Sequence, residues 1–307
     1  MAPFLVRLLR GRSVVIAVPM LFLLGLFLLP FAIVGQISVS DMENTCCKDI
    51  VTVADGVLHI AIKFGGYAFI AEDPLYLRTY LSSLKYAAAT TLLCLAIGYP
   101  FAYFMARASR AVQPALVMLV MLPFWTSFLL RVYAWRALLS EHGWIEQWVV
   151  ASGLDRVLFA LGLITQPGQL MYTPFSLVLG MTYTYLPFMV LPLYANLAKL
   201  DLRLLEAAAD LGATPWVAFW RITVPLSKAG IIAGAMLVFI PCVGEYVIPE
   251  LLGGPETLMI GRVLWDEFFS NNDWPLASSI AVVMVLLIIV PLAVFSKYQA
   301  EARERVQ

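Results

Sequence analysis

The 307 residues predict an all-α membrane protein with six transmembrane helices, and three observations carry that prediction. Hydrophobic residues make up 62% of the chain and charged residues only 13%. The mean hydropathy of +0.86 lies outside the range of an ordinary soluble domain. Six stretches stay apolar over about 20 residues, the length at which a helix satisfies its own backbone across hydrocarbon. Basic and acidic residues are sorted between alternate connecting segments, as the positive-inside rule requires.

In chain order the stretches are Ser13 to Val34, Leu81 to Ala106, Pro114 to Leu138, Thr173 to Leu197, Ala229 to Leu252 and Leu276 to Phe295. The first has the basic lead of a signal peptide (Arg7, Arg10, Arg12), but its apolar run is longer and no small-x-small cleavage site follows. It reads as a retained anchor. With the N-terminus inside, the inner segments collect Arg107, Arg110, Lys199, Arg203, Arg221, Lys228, Lys297, Arg303 and Arg305, and both termini are cytoplasmic. The outer segments are acidic, with Asp41, Glu43, Asp49, Asp55, Glu72, Asp73, Glu141, Glu146 and Asp155 among them. A net charge of zero therefore conceals a polarised molecule. An acidic outer face raises the local concentration of cations, but the topology rule alone produces the same asymmetry and names no substrate.

Between the first two spans, "IVTVADGVLHIAIKF" alternates apolar and polar positions on either side of Asp55-Gly56, a dipeptide suited to a tight hairpin turn. Between the third and fourth, "EHGWIEQWVVASGL" has the spacing of a short interfacial helix with Trp144 and Trp148 toward headgroups. Either loop serves as a cap over the helix ends or as a docking surface. Cys46 and Cys47 are adjacent, a spacing ill-suited to a mutual disulfide, while Cys94 and Cys242 lie in apolar segments. His59 and His142 are isolated, and no metal-ligand spacing occurs. No phosphate loop, H-E-x-x-H or G-x-S-x-G is found, so nothing cradles a nucleotide or activates a nucleophile in a recognised way. A secondary transporter would often show internal symmetry between halves and a channel would need a filter segment; neither is seen.

The segment 199–228, between the fourth and fifth spans, predicts a helical elbow. "DLRLLEAAADL" is rich in helix formers, and Gly212 falls where a helix ends in the left-handed conformation. Thr214 and Pro215 restart the chain as cap and first-turn proline. Trp216, Phe219 and Trp220 then share one face before Pro225 stops the helix. An amphipathic lipid anchor has these features too, but it leaves Glu206 and the small run Ala207, Ala208 and Ala209 without a role. A carboxylate flanked by small side chains admits the close approach of another protein.

These residues carry a resemblance. Glu206, Ala207, Ala208, Gly212, Ile222 and Pro225 are similar to the EAA loop of ABC importer permeases, E-A-A-x-x-x-G, nine residues, then I-x-L-P, with Val224 in place of the usual Leu. "LPFWTSFLLRVYAW", "VGEYVIPELLGGP" and "MIGRVLWDEFFSNNDWPLASS" resemble the polyamine (putrescine/spermidine) branch of that family, the putrescine permeases most of all. The resemblance implies one permease domain over 1–307 with the type I ABC importer permease fold, a cytoplasmic coupling-helix elbow and a small periplasmic hairpin loop. It implies location in the bacterial inner membrane and a heterodimer with a second, related permease subunit. Two cytoplasmic ABC ATPase subunits carry the ATP and Mg, and a periplasmic polyamine-binding protein delivers substrate. The chain itself would be no enzyme and bind no cofactor or metal. Its contacts would be with protein and membrane lipid, not nucleic acid. The elbow would be the coupling helix seated on the ATPase.

The spans also offer a path for a cation. At about 1.5 Å per residue from Ala229, Glu245 lies about 24 Å up the fifth span, among Pro241, Gly244 and Pro249, which are expected to break helix regularity. An intramembrane carboxylate is a functional candidate, joined here by Glu250 and Asp266. The same arithmetic puts Arg131 about 25 Å up the third span, so an ion pair of Arg131 with Glu245 is the competing reading. Rings bind ammonium too, and Trp125, Tyr133, Trp135, Tyr183, Tyr185 and Tyr246 lie near expected breaks such as Pro187. Trp125 and Tyr185, nearest the middle of their spans, are favoured, with Tyr246 beside Glu245.

Overall fold

The computed structural model describes residues 11–43, 46–47, 51–54, 57–60 and 62–304. Its packing groups the chain into two compact units, residues 1–74 with 264–287, and residues 75–263 with 288–307.

In the first unit, α1 (Gly11–Ser38) is a long helix whose apolar side chains are exposed on every side, as expected of a segment made for lipid or for other helices. Pro19 and Pro30 lie inside it without ending it. Two antiparallel pairs follow, β1 (Met42–Glu43) with β2 (Cys46–Cys47) and β3 (Val51–Ala54) with β4 (Val57–Ile60). The second pair matches the expected hairpin, Ala54 facing Val57 across a two-residue connection. The turn residues Asp55 and Gly56 lie outside the described residues. Lys63 pairs with Asp41 at the foot of this loop, before α2 (Gly65–Glu72). Ser38, which ends α1, accepts the Tyr67 hydroxyl at 2.8 Å, and its carbonyl accepts Ser279 Oγ at 3.0 Å.

The second unit is helical. Its principal elements are α3 (Pro74–Arg107), α4 (Gln113–Met121) running into a 3₁₀ turn at Leu122–Trp125, α5 (Phe128–Leu139), α6 (Trp144–Ala151), α7 (Leu154–Ala160) and α8 (Pro174–Leu197). After the elbow come α9 (Arg203–Asp210), α10 (Pro215–Ala218), a π turn at Phe219–Thr223 and α11 (Val224–Leu226). They lead to α12 (Lys228–Val243), α13 (Val247–Leu252) and α14 (Ile260–Trp265); of the last helix, α15 (Trp274–Glu304), residues 274–287 belong to the first unit and 288–304 to the second. The packing of α8 against α12 uses Gly230 and Gly234, four residues apart. A Cβ at either would meet α8 within 2.8 Å, at Asn196 and Met189.

Val15–Ser38, Pro74–Arg107 and Pro174–Leu197 are long and apolar enough to cross a membrane as single helices, matching the first, second and fourth expected spans. Trp274–Ile289 is a shorter apolar stretch at the sixth. The third and fifth depart from expectation. The third bends by 86° between Gln113–Trp125 and Phe128–Ala151, where the chain turns extended at Thr126 and Ser127 after the 3₁₀ turn that contains Pro123. The fifth is interrupted at Gly244–Tyr246, and its start bends by 64° from the elbow. Two other expected breaks are absent. Pro187 and Pro241 both sit inside continuous helices, as proline is tolerated inside packed membrane helices. Trp144 and Trp148 of α6 face outward, as an interfacial helix requires.

Candidate functional site

The elbow follows from local rules. α9 ends at Leu211, and Gly212, with φ +80°, turns the chain so that the Ala213 N–H bonds the Ala208 carbonyl at 2.9 Å. Thr214 caps α10 through its hydroxyl, which accepts the Val217 N–H at 3.4 Å, and Pro215 follows at the first helical position. Glu206 and Ala207 are exposed on α9, Ala208 is buried beneath them, and Leu211 at the tip is 89% exposed. Pro225 does not stop the second helix. The chain passes through a π turn into α11, the Val224 N–H bonding the Phe219 carbonyl, and the direction changes only at Ser227. Ile222 is half-buried in that turn and Pro225 exposed just after it.

Three contacts join the elbow to α3. The Phe219 ring meets the edges of Tyr99 and Tyr103 at 5.6 and 5.8 Å, and Tyr99 shares a hydrogen bond of 2.8 Å with Ser227. Trp216 and Trp220 pack on Phe219 and each other, as their spacing predicts, yet stay largely exposed. The elbow thus meets α3 through rings and a buried hydroxyl pair.

The second site forms at the break of the fifth span. Glu245 ends α12's connection and caps α13, its Oε1 accepting the Val247 N–H at 3.1 Å and the Ile248 N–H at 3.5 Å. Its Oε2 accepts the Tyr185 hydroxyl from α8. Gly261 brings α14 against this break: a Cβ there would stand 2.5 Å from the Gly244 carbonyl oxygen and 2.6 Å from that of Glu245. α14 is itself anchored, the Ile260 N–H bonding Ser83 Oγ at 2.7 Å. On the far side, Ser176 Oγ donates to the Leu252 carbonyl at 2.7 Å, satisfying the end of α13.

The structure therefore brings Glu245 and Tyr185 together and corrects the expected ion pair. Arg131 does not meet Glu245. Because the third span is broken, Arg131 sits in the second turn of α5, donates to the Pro123 carbonyl across the break, and lies over the Phe124 ring at 5.6 Å. Glu250 instead faces Arg262 at 2.7 Å, a contact of charge in which the Nε–H is not aimed at the oxygen. Asp266 opens a π turn, Asp266–Ser270, in the other unit. Trp125 is 72% exposed and makes no ring contact among the described residues. Tyr133 is exposed, Trp135 packs on Tyr183 at 5.3 Å, and Tyr246 is half-buried beside Glu245.

Sequence reasoning missed Phe124 and Phe188, which join the parts. Phe124 meets Phe188 edge-on at 5.2 Å, and Phe188 lies 6.1 Å from Tyr185. The spacing of Tyr185 and Phe188, one helical turn apart, was the available signal. It missed Gly261 and Arg262 too, whose roles depend on contacts distant in sequence.

Residues 94–303 match the family described as "Binding-protein-dependent transport system inner membrane component". The chain is 40% identical over 223 residues to the spermidine/putrescine transport system permease protein PotB of Escherichia coli, covering 73% of this chain and 78% of that one. It is 38% identical to the Haemophilus influenzae protein of the same name, over 74% and 76% of the two chains. The inner membrane ABC transporter permease protein YdcU of Escherichia coli is 34% identical over 69% of each. Among solved structures, a bacterial ABC transporter involved in the import of the acidic polysaccharide alginate superposes with TM-score 0.66 at 18% identity, over 96% of this chain and 99% of that one.

Proposed function

The chain belongs to the family of binding-protein-dependent transport system inner membrane components, and from that premise we propose that it is the permease subunit of an ATP-driven polyamine importer, forming half of the transmembrane pathway for putrescine. The carrying observation is the elbow: an exposed Glu206 and Ala207 on a short helix, turned at Gly212 and braced on α3 through Phe219 and Ser227. Such a piece suits the transmission of a push from a separate ATPase. The family match runs from residue 94 to 303 and so through both compact units, which supports reading 1–307 as one permease domain.

On this reading two cytoplasmic ATPase subunits hold ATP and Mg, a second related permease completes the pathway, and a periplasmic polyamine-binding protein releases substrate at the outer face. Both termini and the elbow are cytoplasmic. The Glu245 carboxylate and Tyr185 ring supply the two cation-binding devices expected of a pathway for ammonium groups. Spermidine is the second reading, favoured by the names of the relatives, which carry both amines. The test is uptake of labelled putrescine into proteoliposomes holding all partner subunits, with unlabelled spermidine competing. The reading requires uptake that depends on ATP and binding protein; uptake without the ATPase would make the chain a secondary transporter.

A further inference from the structure

At the broken third span the Pro123 carbonyl accepts the Thr126 hydroxyl at 2.8 Å and a side chain from beyond the bend. Arg131 lies on α5 beyond the break, and its Nη1 donates back to the Pro123 carbonyl, while its guanidinium covers the Phe124 ring. No carboxylate pairs with it among the described residues, and its Nε–H is buried without an acceptor. A guanidinium with one carbonyl, one ring face and no counter-charge is poorly compensated where it stands. The ring it covers does not end there. Phe124 leads to Phe188 and Phe188 to Tyr185, whose hydroxyl bonds Glu245, so the resident cation and the carboxylate stand at opposite ends of one aromatic run.

We propose that the Pro123 carbonyl and the Phe124 ring form an ammonium subsite that Arg131 occupies as a resident cation until an entering amine displaces it. The inference rests on the polyamine reading given above and deepens it. A primary ammonium offers the same chemistry as the guanidinium, N–H donors and a positive charge, and competes for the same oxygen and the same ring face. Glu245 lies at the other end of the aromatic run, so an amine leaving this subsite meets ring faces before it meets a carboxylate. Displacement also removes the tie across the 86° bend, because Arg131 and Pro123 lie on opposite sides of it. Amine entry and movement of the broken span are then one event. Arg131 is a positioning residue in this scheme, not a transported-substrate ligand.

The test uses the complete permease and ATPase complex, without binding protein, in lipid nanodiscs, and measures equilibrium binding of labelled putrescine. Arg131→Gln removes the competitor and is expected to tighten binding by about tenfold, the scale of one cation–ring contact. Arg131→Lys, which keeps a cation, should bind as the wild type does. Adding Phe124→Leu to Arg131→Gln should abolish the gain, a result that a merely structural role for Arg131 would not give. Binding to an intact Arg131→Gln complex that is unchanged, weaker or undetectable overturns the proposal. Failure of the underlying reading shows itself separately, as a wild-type complex that takes up no polyamine when the binding protein and ATP are supplied.

Discussion

Glu245 spends both carboxylate oxygens on protein donors, one on the Tyr185 hydroxyl and one on the first N–H groups of α13. It is therefore a cap as well as a candidate cation ligand, and the two roles separate by substitution. Glu245→Gln keeps the cap acceptor and removes the charge, so uptake should fall severalfold while the amount of assembled complex stays the same; unchanged uptake would reduce Glu245 to a cap. Gly261 offers a test of the framework around it. A methyl group at Gly261 collides with two carbonyl oxygens that cannot swing away, so Gly261→Ala should destabilise the protein by about 1–3 kcal/mol, read as a lower melting temperature in detergent. The sequence pointed to Glu245 and Tyr185 separately, as an intramembrane acid and a mid-span ring. It could not join them, because they are 60 positions apart and the bond depends on how α8 and the broken fifth span pack. For the same reason Arg131 was placed as if its span were straight.

The elbow was legible almost residue by residue, since a left-handed glycine, a threonine cap and a first-turn proline act within one turn of chain. What escaped was Pro225, whose missing N–H is absorbed by a π turn five residues long. Gly212 sits at φ +80°, so Gly212→Ala should cost about 1–2 kcal/mol locally and weaken binding of the ATPase more than it weakens folding of the spans. A pull-down with the ATPase, beside a thermal melt, distinguishes the two. Phe219→Leu removes two edge-to-face contacts with α3, each worth about 0.5–1.5 kcal/mol. The expected phenotype is an ATPase that still binds and hydrolyses ATP while uptake per ATP falls; equal losses in both would mean that Phe219 only supports the fold. The span breaks at Thr126–Ser127 and Gly244–Tyr246 were partly hidden, because proline ends a helix in water but is tolerated inside a packed membrane bundle, as Pro187 and Pro241 are.

At the scale of the molecule, the class was readable from composition and the family from one loop, because apolar runs and a coupling elbow are both written contiguously. Which residues meet around Glu245 is not contiguous information, because it depends on helices far apart in sequence. On the proposed function, work done by a separate ATPase reaches the spans through the elbow. The direct measurement is ATP-driven uptake of labelled putrescine by proteoliposomes bearing the full complex, wild type against Glu206→Lys, with ATPase association assayed on the same preparations. The account predicts that the charge reversal on this exposed helix abolishes uptake and releases the ATPase while the permease remains in the membrane. Wild-type uptake that proceeds with the ATPase absent, or a Glu206→Lys complex that transports normally, would contradict it.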